Sequence, residues 1–145
     1  MGHSDSYWTK NKGKQSFAGI PRSVILHPDY LNLNGNAVRL LVDLAFQFRG
    51  RNNGDLTTAF HVLKKRGWKS RQTIDRAKHQ LLENSFIIET RSGRFLNPGG
   101  RCALYALTWL PIDECQGKSL EVGPTATPKR LFTLNEKPVR PLVAS

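Results

Sequence analysis

At 145 residues, 39% of them apolar, the chain has material for one compact domain with a modest core and for flexible ends. Its formal net charge of +11 calls for an anionic partner, and residues 49–101 alone hold twelve Lys or Arg against four Asp or Glu. Charge gathered in one stretch favours nucleic acid over a membrane surface, and no run approaches the ~18 apolar residues needed to cross a bilayer.

Residues 1–16 are polar and basic, with Lys10, Lys12 and Lys14 spaced along them, and read as a flexible arm. Tyr7 and Trp8 are the two side chains there able to dock on a domain or stack on a base. Residues 1–14 hold no apolar core of a signal peptide, so the expected location is the cytoplasm, at the nucleoid. The run Val24-Ile25-Leu26, ended by His27-Pro28, predicts a first strand able to pair with strands further along, with His27 facing out from a loop.

Asn34 or Asn36 can cap a first full helix reaching about Arg49. Val38, Leu41, Val42, Leu44, Ala45 and Phe48 give it a wide apolar face, with Arg39, Asp43 and Gln47 turned outward. Gly50 ends it, and Arg51-Asn52-Asn53-Gly54 predicts a tight polar turn. Thr57 and Thr58 are candidate caps for a short helix carrying Phe60, Val62 and Leu63, and Gly67 suits the left-handed residue that stops it.

Ser70 then caps a longer helix predicted over residues 70–84. At roughly 100° per residue, Ile74, Ala77, Leu81 and Leu82 form its apolar stripe. Gln72, Arg76, His79 and Glu83 lie opposite, flanked by Thr73, Asp75 and Gln80. Arg can pair with guanine, Gln with adenine, and a Thr methyl can meet that of thymine, so this face has the chemistry to read base edges.

Residues 86–91 are rich in strand formers, and residues 101–109 alternate through Tyr105, Leu107 and Trp109, with Cys102 expected buried or half-buried in that strand. Between them residues 92–101 hold Gly93, Pro98, Gly99 and Gly100 with Arg94 and Arg101, a loop able to track a phosphate backbone or enter a minor groove. Helix, turn, helix and basic hairpin in this order are the layout of a winged helix-turn-helix.

The segments GDLTT, RGWKSRQTIDRAKHQLLENSFIIETR and YALTWLPID resemble a family of small winged-helix proteins of bacterial, phage and plasmid genomes. The resemblance spans residues 17–114 and implies an α+β fold: a three-helix core plus a β-hairpin wing, with flexible termini. It implies a regulator of replication or transcription and brings no catalytic residues with it. The implied wing is shorter and more regular than residues 92–101.

After Leu110 the texture changes. Pro111, Pro124, Pro128, Pro138 and Pro141, with Gly117 and Gly123, predict a Pro-rich tail over residues 115–145 without fixed structure. Leu131, Phe132 and Leu134 are its one apolar island, suited to a partner protein.

The expected function is therefore sequence-specific binding of double-stranded DNA, by a transcriptional or replication regulator of a bacterial or mobile-element genome. Lys69, Ser70, Arg71, Gln72, Thr73, Arg76 and His79 would act in the major groove, and Arg91, Arg94 and Arg101 on the backbone or minor groove. A homodimer fits this class, although no heptad pattern marks an interface. The alternative is a winged-helix protein-interaction module that inhibits or adapts a larger complex, such as a phage-encoded inhibitor. No enzyme is expected. His3, His27, His61 and His79 lack metal-ligand spacing, Cys102 and Cys115 form no CxxC pair, and no phosphate loop or nucleophile elbow occurs, so neither metal nor cofactor is called for.

Overall fold

A computed structural model describes residues 15–94 and 100–133. Residues 1–14 of the expected basic arm, with Tyr7 and Trp8, lie outside the described residues, as do Pro98 and Gly99 of the hairpin loop and Leu134, Pro138 and Pro141 of the tail. The described chain is α+β: five helices and one antiparallel hairpin.

The expected first strand is helical. Helix α1 spans Arg22–Leu26 and α2 spans Pro28–Leu31. Pro21 is extended and offers its carbonyl to the N–H of Val24 and Ile25, which starts one turn. Pro28 starts the next, because its fixed φ suits the first helical position and its missing N–H costs nothing there. Val24 and His27 are buried three residues apart, the spacing of a helix; a strand would have buried Val24 and Leu26, and Leu26 is 61% exposed. His27 is therefore not a loop-facing side chain. It is fully buried, and its Nδ1 accepts the N–H of Asp29 at 3.0 Å to cap α2.

Helix α3, Gly35–Gln47, is capped by Asn34, whose Oδ1 accepts the N–H of Ala37 at 2.9 Å. It stops two residues short of the expected Arg49, with Phe48 already extended and half-buried. Its buried side is Ala37, Leu40, Leu41, Leu44 and Ala45. Val42, expected inside, is 43% exposed, whereas Asp43, expected outside, is 4% exposed. Donors from the next turn, described below, make that exchange tolerable, since a buried carboxylate must be hydrogen-bonded. Gln47 also turns inward: its amide donates to the Thr57 carbonyl and accepts the Thr57 N–H, both at 2.9 Å.

The short helix α4 covers Phe60–Leu63 and tightens into a 3₁₀ turn over Lys64–Arg66. Thr57 and Thr58 do not cap it directly; Ala59 is the capping position, and Thr57 Oγ1 accepts the Ala59 N–H at 3.0 Å. Gly67 closes the turn at φ 94°, the left-handed conformation its position requires. Helix α5, Arg71–Glu83, packs Ile74, Ala77 and Leu81 against α3, with Leu82 only half-buried.

Strands β1 (Ile87–Arg91) and β2 (Leu104–Leu107) pair in register Ile87↔Leu107 through Glu89↔Tyr105, with an irregularity before Arg91↔Leu104. All four β2 residues are buried, not alternate ones, so both faces of the strand are covered, and β2 is also flanked on its other edge. That edge is supplied by Leu56, which exchanges both backbone hydrogen bonds with Tyr105 at 2.8 and 3.1 Å. Cys102, expected within the strand, precedes it and is exposed.

The largest departure is at the tail, whose described part, residues 115–133, lies on the domain. Phe132 is fully buried, stacked on Phe86 with ring centroids 5.3 Å apart and edge-on to His27 and Trp109. Arg130 beside it is buried as well; its guanidinium donates to Asp29 Oδ2 at 2.5 Å and to the Asn84 carbonyl at 2.8 Å. The last described residues thus tie α2 to the C-terminus of α5. Asn53 anchors the other end of this strap. It is fully buried, accepts the Leu107 N–H at 2.7 Å, donates to the Leu107 and Pro111 carbonyls, and its own N–H reaches Asp113 Oδ2 at 2.8 Å. The expected polar turn is present at Asn53-Gly54, and its Asn53 is in addition a buried connector.

Candidate nucleic-acid interface

The site is built around α5. Ser70 is extended and its Oγ accepts the Thr73 N–H at 3.2 Å, which satisfies one of the free amides of the first turn. With Ile74, Ala77 and Leu81 facing inward, the helical period leaves Arg71, Gln72, Arg76 and His79 exposed and Thr73 half-buried. Gln72, Arg76 and His79 fall at i, i+4 and i+7, so one exposed stripe carries all three. Lys69 is exposed just before the cap. The structure thus brings together seven of the ten residues expected at the interface.

The turn that aims this helix is held by Asp43. Its Oδ2 accepts Trp68 Nε1–H at 2.6 Å, and its Oδ1 accepts both Nε–H and an Nη2–H of Arg66 at 3.2 Å. Arg39, one turn earlier on α3, lies 4.6 Å over the Trp68 ring and donates to the Arg66 carbonyl at 2.8 Å. A β-carbon at Gly67 would sit 2.9 Å from the Arg39 guanidinium. Arg39 also borders a groove with Asn36, Lys69, Ser70 and Thr73. Sequence reasoning gave Arg39 and Asp43 no role; their i, i+4 spacing on α3 was the available signal.

A cleft of about 750 Å³ separates the helices from the hairpin, with Thr58, Arg71, Lys78, Glu89, Arg94 and Arg101 in its walls. Arg71 crosses the Phe60 ring at 4.7 Å and leans toward it. The cleft is therefore where two α5 cations, Arg71 and Lys78, and two hairpin cations face a common space, while Gln72, Arg76 and His79 look out from the helix beyond it. Lys78 was missed as a wall residue. Its ammonium lies 3.2 Å from Asp75. Burial lowers its pKa, but the facing Tyr105 and Asp75 more than offset that and leave it above its ordinary value. The Tyr105 hydroxyl is also raised, by burial first and by Glu89, with Lys78 opposing. Lys78 thus adds a positive charge to a wall that also holds Asp75 and Glu89.

The hairpin arginines are placed differently from expectation. Arg91 donates to the Cys102 carbonyl at 2.7 and 3.1 Å and to the Lys118 carbonyl at 3.0 Å. Arg101 donates to Glu121 at 2.6 Å and to the Ser92 carbonyl at 3.2 Å. Arg94 is exposed, and its backbone exchanges two hydrogen bonds with that of Arg101 at 2.8 and 2.9 Å. Of the three, two are thus engaged by their own chain. The sequence gives no local sign of the Lys118 and Glu121 contacts, because those two acceptors come from the strap, while the Cys102 and Ser92 carbonyls belong to the hairpin itself.

Among the described residues no group of three or more His, Cys, Asp or Glu is arranged to hold a metal ion. No helix among them is long and apolar enough to cross a membrane. The Cys115 thiol is half-buried and raised in pKa, by burial first and by Asp55 and Asp113, so it is a poor nucleophile. The chain matches no family model, no curated protein and no solved structure.

Proposed function

We propose that this protein is a sequence-specific binder of double-stranded DNA, built as a winged helix-turn-helix, and that it serves as a transcriptional or replication regulator of a bacterial or mobile-element genome. The observation that carries the reading is the exposed stripe Gln72, Arg76 and His79 on a capped helix whose opposite side is locked into the core. Base reading needs side chains held in a fixed frame, and α5 has one: Ser70 at its start, α3 behind it, and Asp43 bracing the turn before it. The +11 charge supplies the long-range attraction that any duplex binder needs.

In this reading α5 enters the major groove with Lys69, Ser70, Arg71 and Thr73 near the backbone at its start. Arg94 is the hairpin cation most ready to meet phosphate or minor groove. The test is selection of bound sequences from a random duplex pool, then a salt titration on the selected and a scrambled duplex. Arg76→Ala should weaken the selected duplex by about 1–3 kcal/mol and the scrambled one much less. Equal weakening of both would remove α5 as the reading element.

One observation favours a second reading. Arg91 and Arg101 are engaged by backbone carbonyls and by Glu121, so the hairpin offers less cationic surface than its composition suggests. A protein-interaction module that inhibits or adapts another complex would show the same economy. No enrichment in the duplex selection, together with a stoichiometric protein partner, would favour it.

A further inference from the structure

Two donors converge on one oxygen where the hairpin strands pass into their connecting loop. Arg101 Nη2–H reaches Glu121 Oε2 at 2.6 Å, and Ser92 Oγ–H reaches the same atom at 2.9 Å. The frame around them is well held. Arg94 and Arg101 exchange backbone hydrogen bonds, and Arg101 Nε–H donates to the Ser92 carbonyl at 3.2 Å. Glu121 does not arrive there as a loose side chain, because its own N–H donates to the Thr90 carbonyl of β1 at 2.7 Å.

Arg101 is also a wall residue of the cleft lined by Arg71 and Arg94, and the Glu121 side chain is 47% exposed. A guanidinium and a hydroxyl converging on one anionic oxygen is the donor set that a phosphodiester oxygen takes from a protein. The carboxylate stands in for that oxygen. Hydrogen bonding from Ser92 first, and then the charges of Arg101 and Arg94, hold the Glu121 carboxyl below its ordinary range. It is therefore anionic at neutral pH.

We infer that Ser92 and Arg101 form a subsite for a backbone phosphate of the duplex, and that Glu121 is a built-in competitor for it. The inference rests on the duplex-binding reading above and adds a regulator to it: the strap must yield Glu121 before the hairpin can engage. A half-exposed ion pair is weak and salt-sensitive, so a phosphate can displace it. The arrangement sets a threshold on binding without forbidding it.

The experiment is a salt titration of duplex binding by the full chain and four variants: Glu121→Gln, Glu121→Asp, Arg101→Ala, and Glu121→Gln combined with Arg101→Ala. Glu114→Gln, on an exposed residue away from the hairpin, sets the effect of losing one negative charge. Glu121→Gln should tighten binding to selected and scrambled duplexes alike, by roughly 3–10-fold at low salt, and steepen the salt slope by about 0.9 for one added phosphate contact. Glu121→Asp keeps the charge but retracts it from Arg101, and should tighten binding by a smaller factor. In the Arg101→Ala background the gain from Glu121→Gln should vanish. If wild type binds duplex and Glu121→Gln behaves like Glu114→Gln, the competitor is overturned and the duplex reading stands. A gain that persists without Arg101 also overturns it. If neither wild type nor any variant binds duplex at low salt, both readings fall together.

Discussion

Helix α5 and the strap over residues 112–132 both pack on the core, yet they are held in opposite ways. Every feature that makes α5 a helix lies within it or just outside it: a Ser cap at its start, an apolar stripe at helical spacing, and a left-handed Gly in the turn before. The strap has no periodicity and no hydrogen-bonded ladder. It is fixed by contacts to residues up to 103 positions away, such as Arg130 to His27, and by one aromatic ring set into the core. A segment can thus look like linker by composition and still be part of the core, provided a few side chains find distant pockets. The difference also bears on function, since the strap supplies Glu121 and the Lys118 carbonyl that hold the hairpin arginines.

The sharpest way to break the comparison is Phe132→Ala. A strap without a core role would leave the melting temperature unmoved. With Phe132 fully buried against Phe86, Trp109 and His27, the substitution should cost about 3–5 kcal/mol in denaturant unfolding. Retained stability would return the segment to the status of a tail.

A middle-sized effect is expected at the turn between α4 and α5, where local and long-range support meet. Trp68→Phe keeps an aromatic side chain but removes part of the buried indole, including the Nε1–H that Asp43 accepts at 2.6 Å. Loss of a hydrogen bond to a buried carboxylate should destabilise by about 1.5–3 kcal/mol. A loss near zero would mean that Arg66 alone satisfies Asp43.

The smallest effect belongs to α5 itself, because its support is distributed. Ser70→Ala removes the cap and should cost about 1 kcal/mol, read as a lowered unfolding midpoint with an unchanged denaturant slope. A loss as large as that for Phe132→Ala would show that α5 is no more locally secured than the strap.

Much of the fold could be read from residue order, for a physical reason. The caps Asn34 and Ser70, the stop at Gly67, the stripe Ile74, Ala77 and Leu81, and the pairing of two strands around a Gly-rich loop all depend on neighbours within a few residues. The exposed face of α5 followed from the same geometry, since burying one side of a helix determines the other. Local rules failed where two answers were equally good locally. Val24-Ile25-Leu26 suits a strand or a helix, and the prolines at 21 and 28 with the His27 cap decided for two helical turns.

What the sequence by itself determined is helices α3 to α5 and the hairpin, their order, and which side of α5 faces out, because these rest on periodicity, capping and turn chemistry. What only the tertiary structure decided is which polar groups go inside and which cations remain available. Asp43, Asn53, His27 and Arg130 are buried because partners remote in the chain satisfy them, and no local pattern announces a partner 25, 54, 101 or 103 residues away. Arg91 and Arg101 read as free cations for the same reason, until the strap brings the Lys118 carbonyl and the Glu121 carboxylate to them. Burial satisfies hydrogen bonds over three-dimensional distance, whereas composition records only distance along the chain.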